Sequence, residues 1–410
     1  MKRLLTALLA ALMLFSVTAS ADAEQPVPLF EASFLQGWLC RDWTAERFAQ
    51  ELRDMKAAGF RALILQSTVD LTYVQNDMSK PKTDPDAFSL DSAYALFPTA
   101  LVIGSEKAHA LEYALEAAEQ TGMQIWIGLV NDGRWWNYGW GAPDSDTEKW
   151  ISGNAADHCT VIREIRSLYG ERYAAQIAGF YWTNEYWNIE AAHAEAYAEQ
   201  YARQLKTVRS QLAESFPAQR LMFSPFYNTA LTDRETFCQF LTALVRGSGL
   251  RQTDILALQD GAGRGYAAET IRAWTADAAR AAEHDVTVWV NNETCTPELQ
   301  AVPVAQFRDD YLATQSAARH ILFSWNHYYH GTELETAFAQ MLRNMAGDVN
   351  ADGQCDRADV LCLCGMLRGE APQETVNWNA ADPDGSSSLD AADLTGVKRL
   401  ILQQQAADGT

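Results

Sequence analysis

Between Phe30 and His330, short apolar runs alternate with amphipathic helical stretches eight times over, and no other feature of the chain narrows its fold so far. The runs are Phe30–Gln36, Ala62–Ser67, Gln124–Val130, Ile177–Trp182, Leu221–Pro225, Ile255–Gln259, Thr287–Asn291 and Ile321–Trp325. Most are continuous and β-rich, as strands buried on both faces must be. A helix after each strand is the mark of βα units and a parallel sheet. The first helix shows the pattern: Asp42 or Thr44 can cap it, Phe48, Leu52 and Met55 recur at helical spacing, and Gly59 ends it. Eight such units predict an α/β chain closed into a (β/α)8 barrel, with its site at the C-terminal ends of the strands. An open doubly wound sheet would need a glycine-rich phosphate turn after the first strand, and Gln36-Gly37-Trp38-Leu39 does not supply one. Gly261-Ala262-Gly263-Arg264-Gly265 has the wrong spacing for a phosphate motif and reads as a plain βα loop.

The ends of the chain differ from this middle. Lys2 and Arg3 precede an apolar run from Leu4 to Val17, followed by Ala19-Ser20-Ala21 and Ala21-Asp22-Ala23. Residues 1–23 are therefore expected to be a cleaved export signal, since the run is shorter than the roughly 20 residues that span a bilayer. The barrel is expected over 24–346, and the composition changes abruptly after Gly347. A formal charge of −21 excludes nucleic acid and anionic membrane surfaces, which are bound through clustered Lys and Arg. Seven scattered cysteines form no disulfide framework, and Cys362 and Cys364 read as buried apolar residues.

Two insertions, Thr68–Leu101 and Asn131–Ser145, exceed the usual 2–6 residues of a βα loop and would lie over the catalytic face. Tyr73 and the cluster Trp135, Trp136, Tyr138 and Trp140 give them aromatic faces of the kind that stack on sugar rings. Strand four runs into Asn184-Glu185 and strand seven into Glu293, placing two carboxylates on opposite sides of the barrel mouth. Glycosidic hydrolysis needs one carboxyl kept protonated for the leaving oxygen and one ionised for the anomeric carbon. Other polar groups at strand ends are Gln36, Gln66, Asn131, Asp132, Asn228, Asp260, Asn326 and His327, with Trp325 as an aromatic. From these, Trp135, Trp136, Trp140, Trp325, Asp260 and His327 are taken as substrate-binding candidates.

The Asn-Glu ending of strand four and the Glu ending of strand seven resemble the clan A glycoside hydrolases. That resemblance implies Glu185 as general acid/base, Glu293 as nucleophile, Asn184 as a donor to the sugar 2-hydroxyl, a retaining mechanism, and Trp325 as a sugar platform. The Gly-Phe-Tyr-Trp fourth strand at Gly179–Trp182 more closely resembles a family of secreted barrels of unknown function, DUF4434.

After Gly347, oxygen-bearing residues fall at Asp348, Asn350, Asp352, Asp356 and Asp359, with Gly353 at the turn and the Gln354 carbonyl at the seventh place. This is EF-hand spacing, which surrounds a calcium ion with hard oxygens. It repeats as Asp382, Asp384, Ser386, Ser388, Asp390 and Asp393, with Ser387 in place of the turn glycine, which predicts a weaker second loop. The duplicated loop-helix, with Lys398 and Arg399 in the second helix, resembles a dockerin over residues 347–402, in a domain bounded here as 347–404. That resemblance implies two Ca2+ ions and a cohesin on a scaffoldin, met through Arg357-Ala358, Ala391-Ala392, Lys398 and Arg399. The expectation is a secreted, extracellular, scaffold-tethered hydrolase of a polysaccharide. The alternative is a non-catalytic carbohydrate-binding or adhesion barrel on the same scaffold.

Overall fold

The computed structural model describes residues 29–80, 84–138, 145–189, 191–317, 319–371, 376–386 and 388–407. The segment read as an export signal (1–23), Trp140 and Ser387 lie outside these residues. Pro28–Asn344 forms one compact unit, and the chain from Met345 to Thr410 belongs to another.

In the larger unit the strands are β1 Ala32–Leu35, β2 Ala62–Leu65, β3 Gln124–Gly128, β4 Ile177–Trp182, β5 Arg220–Phe223, β6 Ile255–Gln259, β7 Thr287–Glu293 and β8 Arg319–Phe323. They form a closed barrel in which each strand pairs in parallel with the next, and β8 returns to β1 through Ala32↔Ile321 and Ser33↔Leu322. The helices α1 Ala45–Ala57, α2 Ala110–Thr121, α3 Ser145–Tyr169, α4 Ala194–Ser215, α5 Arg234–Gly247, α6 Ala268–Ala282, α7 Val304–Ala313 and α8 Glu335–Met345 follow the strands in turn. Thr44 caps α1, its hydroxyl accepting from the Arg47 N–H at 3.3 Å, and Gly59 leaves the helix at φ 99°. Among the described residues no helix is long and apolar enough to cross a membrane.

The pleat decides what fills the barrel. Alternate residues point inward, and the interior is packed by Ala32, Phe34, Ala62, Ile64, Trp126, Tyr181, Ile255, Ala257, Trp289 and Ile321, with Phe323 against them. Two large rings, Trp126 and Trp289, meet edge to face at 6.4 Å. Their bulk requires a small neighbour: a Cβ on Gly179 would lie 2.4 Å from Trp126 and 2.5 Å from the Arg220 carbonyl. That is a packing reason for the glycine in the Gly-Phe-Tyr-Trp strand.

The two insertions are tied together. Val69–Gln75 pairs antiparallel with Phe88–Ala95 and parallel with Val130–Asp132, a three-stranded sheet separate from the barrel. Arg134 forms a two-point ion pair with Asp132 (2.7 and 3.0 Å) and lies over the Tyr73 ring at 3.8 Å, while Asn131 donates to Asp70 at 2.6 Å. Tyr73, Asn131 and Asp132 thus hold the insertions to each other.

The smaller unit has two helices, α9 Arg357–Leu367 and α10 Ala391–Ala407, with a short helix Trp378–Ala381 between them. Val349, Leu363, Ala380, Ala381 and Val397 make its core, against which Cys362 packs half-buried. All seven cysteines are free.

Candidate active site and acidic loops

Extending the inward alternation past the barrel core yields the site. On β2 the series Ala62, Ile64 continues to Gln66; on β6 Ile255, Ala257 reaches Gln259; on β7 Trp289 leads to Asn291 and Glu293; β8 ends on Phe323. These side chains line one cavity of about 260 Å³ together with Tyr181 and Glu185, which follow the same inward series on β4. The βα loops complete it with Phe226, Gly263, Arg264, Cys295 and Leu299. Both expected glutamates therefore face a single pocket at the C-terminal end of the barrel.

Their surroundings differ. Burial, strengthened by the charge of Glu293, pushes Glu185 up to about 7, against a hydrogen bond from Gln259 and the pull of Arg264. Glu293 is held at a fixed point: the Gly263 N–H donates to its Oε2 at 3.0 Å. That approach needs glycine, because a Cβ at Gly263 would stand 2.9 Å from Glu293 Oε1. Burial also raises Glu293, while Gly263, Arg264 and Asp260 hold it down. Asp260 is fully buried behind it, accepting from Ala262 N (3.0 Å), Asn292 Nδ2 (2.9 Å) and Glu293 N (3.3 Å). Burial and the nearby Glu293 charge drive Asp260 well above the ordinary carboxylate range. Of the two, Glu293 alone reaches the pocket. Burial keeps the Cys295 thiol protonated, up to about 11. It is not a ready nucleophile.

Several expected contacts fall elsewhere. Asp260 lies behind Glu293 and does not line the cavity. Asn184 is buried, its amide donating to Asn154 Oδ1 at 2.8 Å, away from the lining. Trp135 is buried, packed on Trp150, Tyr186, Trp187 and Tyr201, with its indole N–H on the Glu185 carbonyl at 3.1 Å. It positions the strand-four end. Trp325 is buried against Phe60 and stacked on His330 at 4.2 Å, because β8 surfaces two residues earlier, at Phe323. His327 is half-buried and accepts from the Gln36 N–H through Nε2 at 3.3 Å, and burial lowers it to about 4, so it is neutral. Trp136 is 46% exposed and stacks on Trp187, which stacks in turn on Phe226 in the pocket wall. Sequence reasoning missed Gln259, Asn291 and Phe323, although counting the pleat onward from each strand would have found them. It also read Gly261–Gly265 as a plain βα loop and so missed Gly263 and Arg264.

In the smaller unit several backbone hydrogen bonds recur in both acidic loops. Asp352 N donates to Asp348 Oδ1 at 2.9 Å and Ser386 N to Asp382 Oδ1 at 3.0 Å; Asp356 N donates to Asp359 Oδ2 and Asp390 N to Asp393 Oδ2, both at 2.7 Å. Asp348, Asp359 and Asp393 are buried. Burial and the charges of Asp359 and Asp352 push Asp348 up to about 6. Asp382, Asp384 and Asp393 bring one oxygen each to within 4.8 Å of one another. Among the described residues the Asp393 Oδ1 is buried with no hydrogen-bond partner. Crowded hard oxygens on alternate residues of a tight loop are what a divalent cation requires, so the donor set fits calcium. Asn350 and Asp352 share a hydrogen bond of 3.0 Å, while Gln354 and Asp356 border the first loop and Ser386 and Ser388 the second, 3.2 Å apart. At the fourth loop position Gly385 takes φ 68° where the first loop has Ala351 at 59°; the turn glycine of the first loop is Gly353 at φ 91°, and its counterpart Ser387 lies outside the described residues.

The fold is thus a parallel (β/α)8 barrel followed by a small helical unit with paired acidic loops. Residues 31–333 match the Domain of unknown function (DUF4434), and the chain belongs to that family. Residues 346–402 match the Dockerin type I domain, so the C-terminal unit is a dockerin. No curated protein matches. Among solved structures, a "putative alpha-L-fucosidase" from Bacteroides thetaiotaomicron shares 15% identity at a TM-score of 0.58, over 77% of this chain and 92% of that one. An endo-1,4-beta-mannanase from Rhizomucor miehei aligns at 13% identity and TM-score 0.46, over 72% and 86%. At such identities the likeness is one of fold.

Proposed function

We propose that the protein is a secreted glycoside hydrolase acting on a polysaccharide and tethered through its dockerin to a cohesin-bearing scaffoldin. The observation that carries this reading is the pairing of Glu185 and Glu293 in one pocket, both raised by burial, with the Gly263 N–H fixing Glu293 in place. A carboxyl raised to about 7 is about half protonated at neutrality and mostly protonated below it, and can donate to a leaving oxygen. Glu293, held by Gly263 and backed by Asp260, is the carboxylate for the anomeric carbon, which gives the retaining, double-displacement course. A cavity of about 260 Å³ sits just under the range of about 300–1,000 Å³ common for drug-sized ligands. It suits the end of a sugar chain, with the exposed Trp136 as an outer stacking face.

In the dockerin, Asp348, Asn350, Asp352, the Gln354 carbonyl, Asp356 and Asp359 would hold one Ca2+, and Asp382, Asp384, Ser386, Ser388, Asp390 and Asp393 a second. Bound calcium supplies the positive charge that neutralises the clustered acids. Arg357, Ala358, Ala391, Ala392, Lys398 and Arg399 are all exposed and free to meet a cohesin.

One observation favours the second reading, a non-catalytic binding barrel: the Asn184 amide is spent on Asn154. Sugar release from a polysaccharide panel separates the two. Glu185→Gln is expected to cut kcat/KM by about 10²–10⁴-fold, and Glu293→Gln by at least as much. Release by both variants at the parent rate, or retention of polymer by the parent with no release, would establish the binder instead.

A further inference from the structure

Arg264 is the one cation among the described residues lining the pocket, and it has a role that the two glutamates do not exhaust. It is near enough to draw both carboxyls down, yet among the described residues it makes no ion pair with either. Its guanidinium lies over the Phe226 ring, 4.7 Å from the centroid. Its backbone is fixed in the short turn Ala262–Arg264, bounded by Gly261 at φ 84° and Gly265 at φ 76°. The same turn donates Gly263 N–H to Glu293. One short turn therefore carries both the donor to the Glu293 carboxylate and the cation.

Burial favours the neutral forms of Glu185, Asp260 and Glu293 alike, so the Arg264 cation faces less than three full negative charges. A neutral sugar would leave a guanidinium, an array of fixed donors matched to planar or tetrahedral oxyanions, facing hydroxyls alone. We propose that the pocket takes a sugar ring carrying an anionic substituent, a carboxylate or a sulfate ester, with Arg264 as its receptor on the Phe226 wall. The proposal rests on the hydrolase reading for the pocket being a sugar site, though not for its being catalytic. The chain's overall charge of −21 sharpens it, because an anionic ligand finds no general attraction here and must depend on this local cation.

Calorimetry on full-length Glu185→Gln at pH 6, where glutamine mimics the protonated acid and hydrolysis is silenced, tests this directly. The probes are glucuronate and galacturonate, their 6-sulfated neutral counterparts, and glucose and galactose. An acidic probe is expected to bind about tenfold to a hundredfold more tightly than its neutral parent, the range for one charge-assisted contact. The uronate and sulfate arms tell which oxyanion is recognised. Adding Arg264→Gln should collapse the preference to near parity, and Arg264→Lys should restore part of it. Equal binding of acidic and neutral sugars, a preference that survives Arg264→Gln, or no binding of either class would overturn the proposal. An acidic preference in a protein that releases no sugar would leave Arg264's role intact and refute only the hydrolase.

Discussion

The barrel pocket and the dockerin loops face one physical problem and answer it differently. Each buries several carboxylates close together, at a cost that must be met by protonation, hydrogen bonds or a cation. In the pocket Glu185, Glu293 and Asp260 are attended by Gly263 N–H, Asn292 and Gln259, with Arg264 as a distant counter-charge. The remaining deficit is met by keeping protons, which makes the site an acid. Among the described residues of the loops, Asp348, Asp359 and Asp393 have backbone donors but no arginine, and Asp393 keeps an orphaned oxygen. There the deficit is met by a divalent ion. Counting donors and charges around a buried acid thus separates a proton site from a metal site before either is assayed.

The largest effect that would break this contrast is chelation. Removing calcium with EGTA should lower the dockerin's thermal transition and leave the barrel's in place, since an ion held at 100 times its Kd contributes about 2.7 kcal/mol. For a unit of this size each kcal/mol corresponds to roughly 4–8 °C. Asp393→Ala should reproduce much of that loss, and an unchanged calorimetric trace with EGTA would end the metal half of the comparison.

Next in size is Gly263→Ala. Its Cβ would meet Glu293 Oε1 at 2.9 Å, so Glu293 or the turn must shift, at about 1–3 kcal/mol. Stopped assays should find kcat down by roughly tenfold or more, and full activity would show that Glu293 does not need that donor.

The proton half is sharpened by pH. Glu185's folded pKa lies above its unfolded value, so its ionisation opposes folding, and the stability it permits is present below pH ~4.5 and lost as pH rises through about 7. The same ionisation removes the acid, so kcat/KM should fall on the alkaline side with a limb near 7. Gln259→Leu removes a hydrogen bond that favours the charged form and should move the limb upward; a downward shift would contradict the assigned cause.

Smallest is a backbone exchange between the loops. Ala351 holds φ 59° where its counterpart is Gly385 at 68°. Ala351→Gly should stabilise the dockerin by a few tenths of a kcal/mol, left-handed strain of about 1 kcal/mol being partly offset by unfolded-chain entropy. Gly385→Ala should do the reverse by about 1 kcal/mol, read by chemical denaturation.

The same contrast explains what could be read from sequence. The loops were legible because their ligands are consecutive, so spacing alone fixes geometry. The barrel strands were legible to within two residues, because doubly buried strands are apolar throughout. That continuity also hid the register. With no polar alternation to mark where β8 surfaces, Trp325 looked like the strand-end aromatic, while the pleat gives that place to Phe323. Trp135 and Asn184 were misplaced for a related reason, since residues at a strand end can turn inward to buttress as readily as outward to bind. Glu185 and Glu293 stood out because a carboxylate ending an apolar strand has few reasons to be there. Gly263 and Arg264 act on a residue at the end of the neighbouring strand, a relation that spacing does not carry.

In the proposed function the proton site serves a reaction, and the stereochemistry of that reaction tests it most directly. Proton NMR of the first sugar released by the parent should find the anomer of the substrate's own configuration, with no such signal from Glu293→Gln. A first product of inverted configuration, or release by Glu293→Gln at the parent rate, would contradict the assignment of Glu185 as acid and Glu293 as nucleophile.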